Sequence, residues 1–576
     1  MKKLLCTLLA ALMVLQLAAC GGKTESSASG NMEASTAPAE VSEQQPDSAP
    51  AVQSGSEPDS AVPEEVLGEV ETDTVALPIS EEKLTYSMFM TMPFFVGSLI
   101  DSMETDLQLF RTAQEKTNIY FDVTAVNGEA FDEKFQLMVA SGDYYDVMDG
   151  MSKYAAGYDA AIDEGICMDI YDLVREYAPN YWNVISQNTD TLAQLVTDEG
   201  QMATLGIVYK EANSETQGYL IRDDWLSELG MEIPETYDQL HDALAAFRDN
   251  YGAGGMYFGG VEDERLAYGY ECANGDFMVQ NGTVVSGYLM DSYYDFLSMV
   301  RDWYAEGLIY SDFFTAATGD YDQLMVSNAC GVVQGAATSF STIRAYLTDE
   351  EAENFSIAAM APVKLQADDE LHYSWNQPNY LKRTDAWSIG TTCADPVPLM
   401  GFVNYMFSQD GELLFNYGTE GETFEYDENG DPQYTDLVIN NPDQPYFFAS
   451  YLYASNAATE YFPAILDVSA SYYNFGDAEW AAYELFRTPS NDGSYNIPNG
   501  VSLNAEENEE YAKLESDIST YVEETVNAWV VGQNTLDQQA FDSFKAQLQQ
   551  MGIDRMVELK QAAYDRYQSK LENLNA

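Results

Sequence analysis

The first part of the folded sequence alternates between the hydrophobic pattern of a strand and that of a helix. Ile119, Phe121 and Val123 alternate with other residues at the period of a strand that buries one face. Phe110 and Ala113 recur at helical spacing just before that strand. The predicted elements are strands over 83–90, 118–126 and 145–148 and helices over 106–116 and 131–140. This alternation predicts an α/β fold with a largely parallel sheet, in which ligands bind at the carboxyl ends of the strands.

A second unit is predicted to start near Gly218. Thr236 has the properties of an N-cap, and Gln239 three residues later completes a capping box. Leu240 and Leu244 then lie on one face of the helix that follows. Further predicted elements are strands near 331–333 and 356–360 and helices near 514–529, 537–550 and 553–568. The chain therefore contains two α/β units and a helical C-terminal part.

The first twenty residues have the organisation of an export signal. Lys2 and Lys3 precede an apolar stretch over 4–17, which is shorter than the roughly 20 apolar residues of a transmembrane helix. The stretch ends in Leu-Ala-Ala-Cys, which resembles a bacterial lipobox with Cys20 as the lipidated residue. The alternative is an ordinary secretory signal that contains a cysteine. The resemblance implies a signal peptide over 1–19, a diacylated Cys20, and a membrane contact through the lipid anchor only.

Residues 20–80 are predicted to be a disordered tether. The segment from 21 to 78 is rich in Ser, Ala, Pro and Glu and has no aromatic residue, so it cannot bury enough apolar surface to fold. As a flexible coil it would reach roughly 40 Å. Such a reach fits a thick Gram-positive wall and a folded body outside the membrane.

The charge and the cysteine count narrow the function further. The 576 residues include 95 Asp and Glu against 25 Lys and Arg, a net charge of −70, with only two histidines. A surface this negative repels nucleic acid and anionic lipid, and no metal site or cofactor is indicated. Apart from Cys6 and Cys20, four cysteines remain, and they allow three disulfide pairings or four buried free thiols, which we favour.

Four motifs, in order along the chain, resemble those of the extracellular solute-binding proteins. Residues 131–143 run from a helix into Ala-Ser-Gly-Asp, and 221–236 contain Ile-Arg-Asp-Asp-Trp and then Pro-Glu-Thr. Residues 417–424 contain the Gly-x-Glu-Gly turn, and 564–567 read Tyr-Asp-Arg-Tyr. Together they resemble family 1 of these proteins, and in particular its large oligosaccharide-type members that serve ABC sugar importers.

The resemblance implies the two-lobed periplasmic-binding-protein fold (type II), with a multi-strand hinge and a ligand cleft between the lobes. By similarity, lobe 1 would take 81–217 plus 384–436, and lobe 2 would take 218–383 plus 437–576 with the C-terminal helices. The function implied is capture of a carbohydrate, best a neutral oligosaccharide, and its delivery to ABC permease subunits from the extracellular face. A monomer without enzymatic activity is expected.

The sequence departs from the family at residues 248–255. Many large members carry a calcium loop soon after the helix that begins near Pro234. Here the stretch reads Arg-Asp-Asn-Tyr-Gly-Ala-Gly-Gly, which offers too few carboxylates for calcium. The resemblance is therefore not taken to imply a calcium site in this chain.

Sugars expose apolar C–H faces and many hydroxyls, so their sites combine aromatic rings with planar hydrogen-bonding groups. Aromatic candidates are chosen on this chemistry, and Asp143 and Arg222 because the positions they match in relatives lie near the hinge or cleft. Each has a structural alternative: the rings can be core, Arg222 can hold a backbone carbonyl, and Glu420 can organise its turn. The predicted ligand-binding residues are Phe94, Phe95, Asp143, Tyr144, Arg222, Trp375, Asn376, Trp387 and Glu420.

Three other functions remain as alternatives. The first is a binding protein for a peptide or a cationic solute, and the second is a ligand sensor that feeds a signalling partner. The third, an exported glycosidase, needs two carboxylates about 5 Å or about 6.5–9.5 Å apart. Among 95 acidic residues some pair at such a distance is inevitable, so the pair does not identify a glycosidase. The resemblance to solute-binding proteins also disfavours hydrolysis.

Overall fold

The computed structural model describes most of the chain beyond residue 71. The described residues are 72–92, 97, 99–213, 217–257, 264–311, 313, 321–374, 377–454, 462–488 and 491–575. The predicted signal peptide, Cys20 and the tether up to 71 lie outside them. The described residues form one compact unit. No helix in the described ranges has both the length and the apolar character needed to cross a bilayer.

The first sheet has six strands among the described residues, in the order β13-β4-β10-β3-β1-β2. These strands are β1 (Leu84–Thr91), β2 (Ile119–Val126), β3 (Val147–Met148), β4 (Leu205–Asn213), β10 (Asn379–Ile389) and β13 (Ile465–Leu466). The central strand β10 is antiparallel to both of its neighbours, whereas the other pairs are parallel. The other five strands therefore share one direction, and their carboxyl ends meet at one edge, as the alternating pattern predicts.

Helices connect and cover this sheet. They are α1 (Met103–Asp106), α2 (Gln108–Thr117), α3 (Gly128–Ser141), α4 (Gly157–Asp163), α5 (Tyr171–Tyr177), α6 (Pro179–Ile185) and α7 (Thr189–Leu195). After β10 the chain returns with α15 (Val397–Met406), α16 (Gln409–Tyr417), α17 (Asp436–Ile439) and α18 (Tyr446–Tyr453). A small hairpin, β11 (Phe424–Tyr426) and β12 (Pro432–Tyr434), follows α16.

The second sheet is antiparallel, with the order β8-β5-β9 among the described residues. Its strands are β5 (Gln217–Arg222), β8 (Val332–Ala336) and β9 (Ile357–Met360), and a separate hairpin pairs β6 (Phe277–Gln280) with β7 (Thr283–Ser286). Its helices are α8 (Asp223–Leu229), α9 (Tyr237–Tyr251), α10 (Glu264–Ala267), α11 (Asp291–Glu306), α12 (Tyr321–Val326), α13 (Ser339–Tyr346) and α14 (Asp349–Ala352). At α9 the predicted capping box between Thr236 and Gln239 is present.

The chain continues with α19 (Val468–Ser471) and α20 (Asp477–Arg487) and ends in three helices. These are α21 (Ala505–Val530), α22 (Gln538–Met551) and α23 (Ile553–Leu574), close to the positions that the pattern predicts. The last helix packs on both parts of the molecule: Gln561 accepts a hydrogen bond from the Val284 backbone N–H, and Lys570 donates to the carbonyl oxygens of Ala193 and Val196.

Two large hydrophobic cores correspond to the two sheets. The first contains residues between 86 and 208 and between 380 and 466. The second contains residues between 219 and 363 and between 482 and 559. Three connections pass between the cores, after β4, before β10 and after β13, and all three lie at the carboxyl edge of the first sheet.

Two predicted boundaries need correction. Phe462 is fully buried in the first core and β13 pairs with β4, so the segment up to Leu466 lies with the first core and not with the second. The predicted tether also ends too late, because Val75 and Ile79 pack against the first core. The Asp73 backbone N–H donates to the Asn180 side chain. The remaining lobe boundaries stay a prediction.

Candidate functional site

The carboxyl edge of the first sheet holds a buried aspartate. β1 and β3 pair in parallel, so Thr91 at the end of β1 lies beside Asp149, which follows β3. Asp149 is 2% exposed. One of its oxygens, Oδ2, accepts a hydrogen bond from the Thr91 hydroxyl at 3.1 Å. A buried carboxylate needs such donors, and a positive partner, to remain charged.

The positive partner comes from β10. Because β10 is antiparallel, its first half lies at the carboxyl edge of its neighbours, and this places Arg383 against Asp149. The Arg383 Nε also donates to Asp385 at 3.3 Å. Asp385 in turn accepts from the backbone N–H of Ser152 at 3.2 Å and from the Ser152 hydroxyl. These side chains form one connected network, which we call the edge network: Asp149, Arg383, Asp385 and Ser152.

Burial shifts the proton equilibria of this network. Burial raises the pKa of Asp149, although the Arg383 guanidinium acts in the opposite direction. Burial, with a contribution from Asp385, also raises the pKa of the neighbouring Tyr158 to about 12. The raised pKa keeps the Tyr158 hydroxyl protonated at neutral pH, and this neutral hydroxyl hydrogen-bonds Thr384.

A cleft of about 700 Å³ opens next to the edge network, and both cores line it. The first core contributes Ser152, Thr384 and residues within 154–163 and 193–199, and the far wall includes residues within 499–508. Acidic side chains outnumber basic ones among its described lining residues: Asp159, Asp163, Asp198, Glu199, Glu506 and Glu515 against Lys560 and Lys570. The size is that of a small-molecule site.

Asp159 on α4 is an incompletely satisfied carboxylate in this cleft. Its side chain hydrogen-bonds Thr197, and burial raises its pKa. Its Oδ1 atom is buried and has no hydrogen-bond partner among the residues described. Buried polar atoms are nearly always paired in native proteins, so Asp159 retains one unused acceptor beside the cleft.

One ion cluster joins the cores beside the cleft. Arg566 of α23 donates to Asp198 at 2.8 Å and to Glu507 of α21 at 2.6 Å. Lys570 lies 3.1 Å from the same Asp198. Burial raises the pKa of Asp198, but Arg566 and Lys570 outweigh it, and the pKa is lowered overall. The cluster therefore remains ionised at neutral pH and ties α23 and α21 to the first core.

Two predicted ligand residues lie at the wrong edge of the sheet. Asp143 and Tyr144 follow α3 and precede β3, so they lie at the amino end of β3, opposite the edge network. Asp143 is exposed, and the Tyr144 carbonyl accepts from the Thr392 hydroxyl just beyond the end of β10. The Ala-Ser-Gly-Asp motif ends a helix on the side of the sheet away from the edge network, so these two residues lie outside the candidate site, and ligand binding by them stays a prediction.

Arg222 is engaged by its own neighbours. Its Nε and NH2 groups donate to the two oxygens of Asp224 at 2.8 and 2.6 Å. Its guanidinium lies 4.1 Å from the Trp225 ring centre and 4.0 Å from that of Phe355. With 4% of its surface exposed, Arg222 has a structural role, through a carboxylate and two rings and not the backbone carbonyl considered above.

Trp387 and Glu420 also lie away from the cleft lining. Trp387 has no exposed surface and stacks on Phe402 at 5.7 Å within the first core, so the prediction that it binds ligand is corrected. Glu420 is exposed in the turn between α16 and β11, where Gly418 and Gly421 have φ of 87° and 76°. The glycines permit this turn because residues with a side chain rarely adopt such φ values.

Phe94, Phe95, Trp375 and Asn376 lie outside the described residues. The edge network and Asp159 were missed in the sequence. Asp149 carries a weak signal, since it directly follows the buried pair Val147 and Met148 at a strand end. No local signal marks Asp159, because its significance depends on contacts with a distant segment.

The four cysteines, Cys167, Cys272, Cys330 and Cys393, are free and buried, which confirms the preferred alternative. Burial raises the pKa of Cys272 to about 12, so this thiol is unreactive at neutral pH.

In the stretch where relatives carry a calcium loop, Asp249 is paired with Arg248 at 2.8 Å, and Asn250 donates to the Ala246 carbonyl. These residues do not fit a calcium site.

Two α/β cores with a cleft between them define the fold of the extracellular solute-binding proteins, as the motifs predict. Solved structures agree: alginate-binding protein AlgQ2 without calcium ion has a TM-score of 0.64 at 23% identity, covering 85% of this chain and 100% of that one. An HMO-binding, ABC-transporter-associated solute-binding protein from Bifidobacterium longum infantis has a TM-score of 0.66 at 17% identity, covering 84% and 99%.

Relatives by sequence are of the same class. The fructooligosaccharide ABC transporter substrate-binding protein FusA of Streptococcus pneumoniae serotype 4 is 22% identical over 556 residues, 87% of this chain and 94% of FusA. Lipoprotein LipO of Bacillus subtilis is 21% identical over 58% of this chain and 66% of LipO. The polygalacturonan/rhamnogalacturonan-binding protein YtcQ of B. subtilis is 21% identical over 54% and 61%. No protein-family model matches the chain. The resemblance to solute-binding proteins is confirmed by these relatives.

Proposed function

We propose that this chain is an extracellular carbohydrate-binding protein that captures an oligosaccharide in the cleft between its cores and delivers it to an ABC importer. The observation that carries the proposal is the cleft beside the edge network, with the unpaired Oδ1 of Asp159 in its wall. The fructooligosaccharide named for FusA supports the ligand class. The role proposed is binding without turnover.

The chemistry of the cleft suits hydroxyl groups. A sugar hydroxyl that donates to Asp159 would satisfy its Oδ1 atom, and a hydrogen bond to a charged group contributes about 1.5–3 kcal/mol. Tyr158 and Tyr511 line the same cleft and offer ring surface for the apolar C–H faces. The combination of carboxylate acceptors and tyrosine rings is the one expected for carbohydrate.

The local charge favours a neutral ligand. The relatives include proteins named for alginate and polygalacturonan, which are polyanions, so the fold alone does not set the charge of the ligand. In this cleft a uronate would meet a surplus of carboxylates, and like charges in a partly desolvated site repel. We therefore expect neutral oligosaccharides to bind and uronate oligosaccharides to be rejected.

Calorimetric titration tests both statements. The mature chain (20–576), carrying Cys20→Ser to keep it free of lipid, is titrated with neutral fructo-oligosaccharides and with galacturonate oligomers. Asp159→Asn should weaken binding of the neutral series about tenfold or more, because a charge-assisted hydrogen bond is lost. Asp143→Asn, at the opposite edge of the sheet, is the matched control and should bind as wild type. Absence of binding in a wider panel of neutral glycans would refute the carbohydrate assignment, and an unaffected Asp159→Asn would move the site elsewhere.

The anchor proposed at Cys20 has its own test. Labelling of cells with radioactive palmitate should mark the wild-type chain and leave Cys20→Ala unmarked. The wild type should sediment with membranes, and Cys20→Ala should appear in the medium or retain its signal peptide. Equal labelling of the two chains would contradict the lipobox assignment.

A further inference from the structure

A groove of about 440 Å³ runs along helix α21 in the second core, next to the cleft. Tyr511 and Glu515 line both the cleft and this groove, so the two spaces adjoin at these residues. We infer that the groove is an extension of the ligand site, which holds further sugar units of an oligosaccharide whose first units occupy the cleft. This inference rests on the function proposed above.

The dimensions of the groove suit an extended chain. One wall follows a single face of α21 from Tyr511 through Ile518 and Val522 to Val526. At 1.5 Å per helical residue, this stretch is about 22 Å long. A single sugar ring fills only a part of that length, whereas a chain of several rings extends along it.

The lining of the groove combines rings with polar groups. Phe277 and Tyr288 face α21 from the opposite wall, and Asn274 and Asp276 add an amide and a carboxylate. The Tyr511 ring is contacted by Lys560, which lies 4.8 Å from its centre, and by the Phe277 ring, whose centre is 6.2 Å away. Planar polar groups beside flat rings are the features that bind sugars in the cleft as well.

The wall opposite α21 is held in an unusual backbone conformation. Glu271, Ala273 and Asn274 have φ of 47°, 43° and 47°, the left-handed region that residues with a side chain rarely adopt. The Glu271 carboxylate accepts hydrogen bonds from the backbone N–H groups of His372 and Tyr373, which fixes the segment. Strained backbone of this kind persists where surrounding contacts enforce it, and it concentrates at binding sites.

The test compares affinity with chain length. The mature chain is titrated with di- to hexasaccharides of the fructo-, xylo- and manno-oligosaccharide series. In wild type, affinity should rise about tenfold from the disaccharide to the hexasaccharide of the series that binds. Ser519→Trp fills the groove from an exposed position on α21 and should remove that gain without changing binding of the disaccharide.

Thr520→Trp is the matched control, because it places the same ring on the next, exposed residue of α21, outside the groove lining. Its chain-length dependence should equal that of wild type. Ser519→Phe repeats the test with a smaller ring if the tryptophan lowers the melting temperature. A hexasaccharide affinity equal in Ser519→Trp and Thr520→Trp, or equal to that of the disaccharide in wild type, would overturn the groove assignment and leave carbohydrate binding in place. Absence of binding of every series by wild type would instead overturn the proposed function.

Discussion

The two edges of the first sheet both carry acidic residues, but they hold them differently. At the carboxyl edge Asp149 is buried and paired with Arg383. At the amino edge Asp143 is exposed, and its polar contact is local: its backbone N–H donates to the Ser141 hydroxyl. A buried ion pair is costly to desolvate and adds little net stability, but removal of one partner leaves an uncompensated buried charge. The comparison shows that topology, and not the number of carboxylates, decides which edge of the sheet holds a buried, paired aspartate and which holds a solvated one.

The largest effect is expected at the edge network. Arg383→Met should destabilise the protein by about 3–5 kcal/mol, because it leaves Asp149 buried without its partner. Urea denaturation followed by tryptophan fluorescence measures the loss. Arg383→Lys retains a positive charge and should lose less. A loss below about 1 kcal/mol for Arg383→Met would mean that the pair is not desolvated in solution.

A smaller effect is expected at Asp146, whose side chain accepts hydrogen bonds at the amino edge of the sheet. Asp146 accepts from the backbone N–H and the hydroxyl of Ser87 at 2.8 and 2.9 Å. Asp146→Ala should cost about 1.5–3 kcal/mol in the same urea experiment, because both donors lose a charged acceptor. Asp146→Asn keeps one acceptor oxygen and should cost less. Equal losses for Asp146→Ala and Arg383→Met would remove the contrast between the two edges.

Asp159→Asn should bind ligand more weakly than wild type, and its folded state should be slightly more stable at neutral pH. The raised pKa of Asp159 means that the folded chain binds this proton more tightly than the unfolded chain. The wild type therefore loses stability as the pH rises above about 4, the ordinary value for Asp, through the folded pKa. The variant should melt about 1 °C higher at pH 7 and equal wild type near pH 3. Scanning calorimetry between pH 3 and pH 7 measures both melting temperatures. A higher melting temperature of Asp159→Asn at low pH, and not at pH 7, would contradict the expected sign of the stability difference.

The smallest effect is expected for Asp143. Asp143→Asn removes an exposed charge, so stability should change by less than about 0.5 kcal/mol. Oligosaccharide affinity should also be unchanged, which urea denaturation and calorimetry check together. A clear loss of affinity here would reverse the assignment of the two edges.

Much of the fold follows from local patterns. The alternation before residue 148, the capping box at Thr236 and the C-terminal helices each depend on neighbours in sequence, and the structure agrees with them. Likewise, widely spaced cysteines without close pairs are typical of free buried thiols, as found for Cys167.

The site depended on contacts that the sequence does not reveal. Asp149 and Arg383 are 234 residues apart and meet only because β10 enters the sheet beside β3. Trp387 lies on the same strand and has the flat ring and polar N–H of a sugar platform, but its position in the register points it into the core. Phe94 and Trp375 remain predictions.

The central position of β10 has a consequence for biosynthesis. Strands β3 and β4 are made early, but their shared neighbour spans Asn379–Ile389, and β13 follows only at Ile465–Leu466. Until those residues have been synthesised, both early strands have open edges that attract other chains. Pairing across such long separations is also slow. The chain therefore completes its first sheet only after most of it has been synthesised.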